Sequence, residues 1–209
     1  MGLTRLSLPD SVEARVVFIH GLGGSARKTW ERSRSIPSWP EEISAQFPTV
    51  DVLTFGYRNP AIGRNVLSCV DTGQSLAAAL AVEAGPRVPT VLVGHSRGGL
   101  VAKAAALAAT EVHGSDLADT IAAVIFLGTP HLGANSLVSR AFWRFGSRAV
   151  RELRPNSTEL EDLDHRFAEW WRRRPNVKVV NLLESELTMA MLLVVDAVSY
   201  THLTLPTKA

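Results

Sequence analysis

Short apolar runs recur along the chain, each closing on a glycine-bearing or polar turn and leading into a stretch of helical character. Five read as buried strands: Val16–His20, Val52–Tyr57, Thr90–Gly94, Ala123–Gly128 and Val177–Leu183. A sixth, less regular run covers Leu192–Val195. Between them, helices are predicted over Gln74–Glu83, over Gly98–Val112 and within an arginine-rich stretch, Ser136–Arg174. Runs apolar on both faces, alternating with helices, predict an α/β fold with a mostly parallel central sheet covered on both sides. In such a sheet the site lies outside the carboxyl ends of the strands. Three of those ends carry unusual turns: His20-Gly21-Leu22-Gly23-Gly24, Gly94-His95-Ser96-Arg97-Gly98-Gly99 and Gly128-Thr129-Pro130-His131. Glu184 and Glu186 stand at a fourth.

Composition narrows the classes. With 209 residues, 46% of them hydrophobic and 20% charged, the chain has the length and apolar content of one globular domain, and disorder is excluded. Cys69 is the only cysteine, so neither an intrachain disulfide nor a cysteine-based metal cluster is available. The six histidines form no H-x-x-x-H or H-E-x-x-H pair, and no metal or other cofactor is predicted. A formal charge of +2 gives no pull towards nucleic acid. Met1–Ala14 lacks a signal-peptide core, and the longest apolar run, near Met189–Val195, falls short of a bilayer span, so a cytoplasmic location is expected.

Gly94-His95-Ser96-Arg97-Gly98 matches G-x-S-x-G, the nucleophile elbow. A serine between strand and helix must take a strained backbone conformation to project its hydroxyl. Residues two positions to either side must be small, and the following helix aims its first N–H groups at the same point, where they favour developing negative charge. The flanking runs TVLVG and GGLVAKAAALAATEV supply the required strand and helix.

Gly21-Leu22-Gly23-Gly24-Ser25-Ala26 also fits G-x-G-x-x-A after a strand, the dinucleotide fingerprint. Against it, Pro37 and Pro40 interrupt the following segment, and Asp51 begins the next strand instead of closing it, where a ribose partner is needed. The alternative is an oxyanion loop, with the Leu22 backbone N–H paired to that of Arg97.

The blocks VVFIHGLGGSARKTW, SWPEE, VLTFGY, VLVGHSRGGLVAKAA and VIFLGTPHLGAN, in this order, resemble the α/β-hydrolase superfamily. More narrowly they are similar to lipase-like members related to serine-active-site-containing proteins and GPI inositol deacylases. The resemblance covers about Val16 to Val195 and implies serine ester hydrolysis, on acyl esters or lipids, through an acyl-enzyme.

That chemistry needs a base for the Ser96 proton and a carboxylate to orient the base. Chain order in this fold is serine, acid, histidine. The acid should follow VKVVNLL, which leaves Glu184 or Glu186, with Asp196 after the next run as a third candidate; the resemblance favours Glu184. His20 and His95 belong to turns whose backbone does the work. His131 is expected to be structural or substrate-lining, while His113 and His165 fall on polar helical stretches. His202 alone follows the acid. The segment 198–207, however, resembles translated sequencing-adapter sequence. The expectation is a hydrolase domain over 1–197, a foreign tail over 198–209, and a catalytic histidine missing from a chain that is itself inactive. The competing expectation is a short, diverged C-terminus that uses His202.

Residues 132–175 are expected to form a cap. Within Ser136–Arg174 nine arginines face six acids, and Arg140, Arg144 and Arg148 recur along one helical face, with Phe142, Phe145 and Ala149 on another. A second helix, Thr158–Arg174, presents Leu160, Leu163, Phe167, Trp170 and Trp171. Peripheral contact with an anionic membrane is one expectation for 136–174; a packed helix with a solvated face is the plainer one. Trp30, Trp39 and Tyr57 read as core before they read as an acyl pocket, and Cys69 as a small buried hydrophobe. The runner-up function is a non-catalytic module of the same fold that binds lipid or protein.

Overall fold

The computed structural model describes all residues except 8, 32, 34, 84–86, 112–114, 136–145, 156, 183–193 and 196–209. Its centre is a six-stranded sheet in the order β1-β3-β2-β4-β5-β7. The strands are β1 (Gly2–Arg5), β2 (Ala14–Ile19), β3 (Val50–Gly56), β4 (Thr90–His95), β5 (Ile121–Leu127) and β7 (Lys178–Leu182). All neighbours pair in parallel except the edge strand β1, which runs antiparallel to β3 with Leu3 opposite Phe55. The five strands expected from the apolar runs are present and parallel. The edge strand was not expected, because its side chains are mostly half-buried and lack a clean apolar alternation. Of the run at Leu192–Val195, the described Val194–Val195 form β8, which pairs with β6 (Ala134–Asn135) outside the main sheet. Residues 191–193 lie outside the described region.

Two helices depart from expectation in instructive ways. A short helix, α1 (Trp39–Gln46), forms where Pro37 and Pro40 had argued against a long crossover helix. Pro40 sits in its first turn, where no N–H is required, and the Ser38 N–H donates to Glu41 at 2.7 Å in a capping box. Helix α2 (Cys69–Val82) begins five residues before the predicted Gln74, because Ser68 caps it by accepting the Asp71 N–H at 2.9 Å. Helix α3 (Arg97–Glu111) is buried from Arg97 to Ala109. Its alanines let neighbours come close, and Gly73 of α2 meets Ala104 with no room for a Cβ.

A short helix α4 (Ser115–Ala118) precedes β5, and α5 (Arg148–Glu152) and α6 (Thr158–Arg172) precede β7. The predicted apolar face of α6 is buried: Leu160, Leu163, Phe167 and Trp170 all join the main core. Lys103 of α3 pairs with Asp164 of α6, and the Trp170 indole donates to Thr110 at 3.0 Å. That face therefore packs on α3, the helix that follows Ser96. Arg140, Phe142, Arg144 and Phe145 lie outside the described residues, as does His113. His165 is exposed beside Glu169, and Cys69 is buried, its thiol pushed up to about 12 by burial, then by the Glu152 charge.

Candidate active site

The parallel strands bring their carboxyl ends to one edge, where β4 ends at His95 and α3 starts at Arg97. Ser96 alone joins them, with φ of 52°. A side chain in this left-handed region costs roughly 1–2 kcal/mol, so the conformation persists only because its surroundings impose it. Those surroundings are backbone. The Ser96 N–H donates to Leu127 O at 2.8 Å, which pins the turn to β5, and the Gly99 N–H donates to Ser96 O at 3.0 Å. The elbow glycines are required by close approach: a Cβ on Gly98 would strike the carbonyl oxygens of Ile19 and His20, and one on Gly94 would strike the Gly99 backbone. Ser96 therefore has the positive φ expected of a serine in a tight strand-to-helix turn.

The turn after β2 lies directly on this elbow. A Cβ on Gly21 would come within 2.8 Å of Ser96 Cβ and 2.9 Å of His95 O. His20 and Tyr57 hold the loop from behind, stacked with centroids 4.2 Å apart. The Tyr57 N–H faces His20 Nε2 at 3.3 Å, and an N–H can only donate, so Nε2 accepts and the ring proton belongs to Nδ1. That Nδ1–H donates to Gly21 O at 3.0 Å, while the Tyr57 hydroxyl donates to His20 O at 2.6 Å. Burial lowers the His20 pKa, which keeps the ring in this neutral form. The Gly23 N–H is held by Asn59 O at 2.7 Å. With these carbonyls turned inward, the N–H of Leu22 and the N–H of Arg97 have no protein acceptor among the described residues.

The Arg97 side chain turns away from the serine into the protein and is fully buried. It donates to Asn59 Oδ1 at 3.2 Å, to Leu67 O at 2.9 Å and to Glu152 Oε2 at 2.8 Å. The same Glu152 oxygen accepts the Cys69 N–H at 3.1 Å at the start of α2. Asn59 and Glu152 were missed at the level of sequence. Asn59 follows a strand's carboxyl end, a signal that existed, but a glutamate on a helix reads as solvated.

His131, after β5, is 1% exposed and packs edge-on to Phe126 at 4.8 Å. Burial, reinforced by the Lys103 charge, drops its pKa to about 3. Trp30 and Tyr57 are buried in the core, whereas Trp39 packs against Phe18 with 39% of its surface exposed. Asp51, the residue weighed as a ribose partner, is consumed by Arg5 at 2.7 Å and Arg15 at 2.9 Å.

The acid and base candidates Glu184, Glu186, Asp196 and His202 lie outside the described residues. The Gly128 N–H donates to Leu182 O at 2.9 Å, so β7 ends level with β5, two residues before Glu184 and two strands from the elbow. Among the described residues no group of three or more potential metal ligands occurs, and no helix is long and apolar enough to cross a membrane.

Comparison with known proteins bears on this site. The family described as "Alpha/beta hydrolase family" matches residues 16–202. Protein SERAC1 of Homo sapiens is 28% identical over 203 residues, covering 83% of this chain and 30% of that protein. Protein SERAC1 of Danio rerio is 29% identical over 219 residues, covering 89% and 33%. The chain thus spans about a third of the length of these curated relatives. Among solved structures, phospholipase PlaB from Legionella pneumophila in complex with thio-NAD superimposes with a TM-score of 0.62 at 14% identity, covering 85% of this chain and 39% of that one. The mature lipase BlEst2 from Bacillus licheniformis gives 0.52 at 20% identity, covering 89% and 73%. At these identities the likeness is one of fold.

Proposed function

Since the chain belongs to the alpha/beta hydrolase family, we propose that it is a serine hydrolase of carboxylic esters, with Ser96 as nucleophile. One observation carries the reading: Ser96 is held at φ 52° between strand and helix, against a glycine loop, with the N–H groups of Leu22 and Arg97 lacking a protein acceptor among the described residues. A structural serine has no need of that strain.

In the proposed reaction Ser96 Oγ attacks the ester carbonyl carbon as its proton passes to the base. The carbonyl oxygen becomes an oxyanion held by the N–H groups of Leu22 and Arg97. Collapse breaks the bond to the alkoxy oxygen, which leaves as an alcohol with the proton from the base. Water then repeats the sequence on the acyl-enzyme and releases the acid. Chain order leaves His202 as the candidate base, and among Glu184, Glu186 and Asp196 the resemblance favours Glu184 as the carboxylate. The lipase and phospholipase names of the structural relatives fit an acyl ester as substrate.

Turnover of p-nitrophenyl acyl esters and labelling by a fluorophosphonate test this reading. Ser96→Ala should abolish both while leaving the thermal midpoint near wild type. Ester turnover that survives the substitution removes Ser96 from the mechanism. His202→Ala should lower turnover about a thousand-fold or more if His202 is the base.

A further inference from the structure

The two halves of the proposed oxyanion hole come from chain segments about 75 positions apart, Leu22 and Arg97, and the fold must fix their separation. The backbone of Asn59 holds one half, since its carbonyl accepts the Gly23 N–H at 2.7 Å. The side chain of Asn59 holds the other, since Oδ1 accepts from the Arg97 guanidinium at 3.2 Å. Asn59 Nδ2 also reaches the Tyr57 hydroxyl at 3.4 Å, and that hydroxyl fixes His20 O at 2.6 Å. On its far side the guanidinium is anchored by Glu152 Oε2 at 2.8 Å and Leu67 O at 2.9 Å. Glu152 is itself tied to α2 through the Cys69 N–H.

A planar guanidinium with three partners defines position in a way that an apolar side chain cannot. A buried ion pair is a poor source of stability, because well-packed apolar residues serve as well or better. Its presence next to the nucleophile is then best accounted for by location. We propose that the buried Arg97 side chain, gripped by Glu152 and Asn59, sets the Leu22 and Arg97 N–H groups against each other, making Glu152 and Asn59 positioning residues. The proposal rests on the hydrolase reading above.

The decisive variant is the pair Arg97→Met with Glu152→Met, which keeps the Arg97 backbone N–H and fills the volume but loses the reach to Asn59. Glu152→Ala alone strands a buried cation and can fail to fold, so it serves only as the stability reference. The double variant should recover the thermal midpoint lost by Glu152→Ala. Its kcat should stay about ten- to a hundred-fold below wild type with KM within about two-fold, the mark of an interaction made in the transition state. Asn59→Ala should show the same split, and Asn59→Asp, which retains an acceptor for Arg97, should recover most of the rate.

Amide exchange supplies a readout independent of turnover. The Gly23 N–H should exchange at least about ten-fold faster in the double variant and in Asn59→Ala than in wild type. If wild type shows neither Ser96-dependent turnover nor fluorophosphonate labelling at Ser96, the hydrolase reading has failed for this chain, and Gly23 exchange alone decides whether the two segments are coupled. A double variant with both wild-type kcat and wild-type Gly23 exchange overturns the proposal, as does an Asn59→Asp no better than Asn59→Ala.

Discussion

The two ends of the central sheet hold the same chemistry for different ends. At the amino ends of β2 and β3, Asp51 is buried between Arg5 and Arg15, at 2.7 and 2.9 Å. At the carboxyl ends, Glu152 and Arg97 are buried 2.8 Å apart. The first cluster lies on regular, paired strand residues, with Arg15 beside Asp51 in register. The second adjoins a serine at positive φ, glycines with no room for a Cβ and N–H groups without a protein acceptor among the described residues. Buried charge can therefore merely close a sheet or hold a strained turn in place. What separates the two is the strain and the open donors beside the pair, not the pair itself.

The comparison can be broken by substitution. Removing Asp51 leaves Arg15 buried without its partner, and Asp51→Ala should cost about 3–5 kcal/mol in chemical denaturation. Ser96 labelling by a fluorophosphonate should nonetheless persist in the folded fraction, because the elbow is at the other end. Gly98→Ala should lose about 3 kcal/mol, since its Cβ meets the unyielding carbonyls of Ile19 and His20, and should abolish labelling as well. Labelling unaffected by Gly98→Ala would mean that the elbow tolerates the displacement.

His131 sharpens the contrast through pH. In the unfolded chain its imidazole takes up a proton near 6.5, whereas the native ring holds out to about 3. Its contribution is thus fully present above pH 6.5 and declines as the pH falls towards 3, by up to about 1.4 kcal/mol per unit. His131→Gln should flatten that part of the stability profile, measured by urea titration; an unchanged slope assigns it to other groups. The smallest effect is expected at Ser96 itself. Ser96→Gly relieves the φ of 52° and should stabilise the protein by up to about 1 kcal/mol while eliminating turnover. A loss of stability there would show that the elbow carries little strain.

Much of this was legible in the chain. The motif around Ser96 predicted its own strand and helix, because an elbow imposes its requirements within five consecutive residues. The parallel strands were legible because burial on both faces leaves continuous apolar runs. Strand β1 was hidden because an edge strand, half-buried and short, needs no such run. Helix α1 was hidden because Pro37 and Pro40 read as breakers until Ser38 and Glu41 are seen to cap it. Glu152 was hidden for a different reason. Its partner Arg97 is 55 positions away, and no local pattern marks a carboxylate that folding will bury.

The sequence by itself determined the fold class and named the candidates for the nucleophile and the oxyanion loop. Each rests on residues adjacent in the chain, where sterics and periodicity act locally. Only the tertiary structure decided that His20 is kept neutral by burial with its tautomer set by Tyr57, that Asp51 belongs to a structural ion cluster, and that Asn59 joins the loop to the elbow. Those roles depend on which segments meet, and long-range packing settles that.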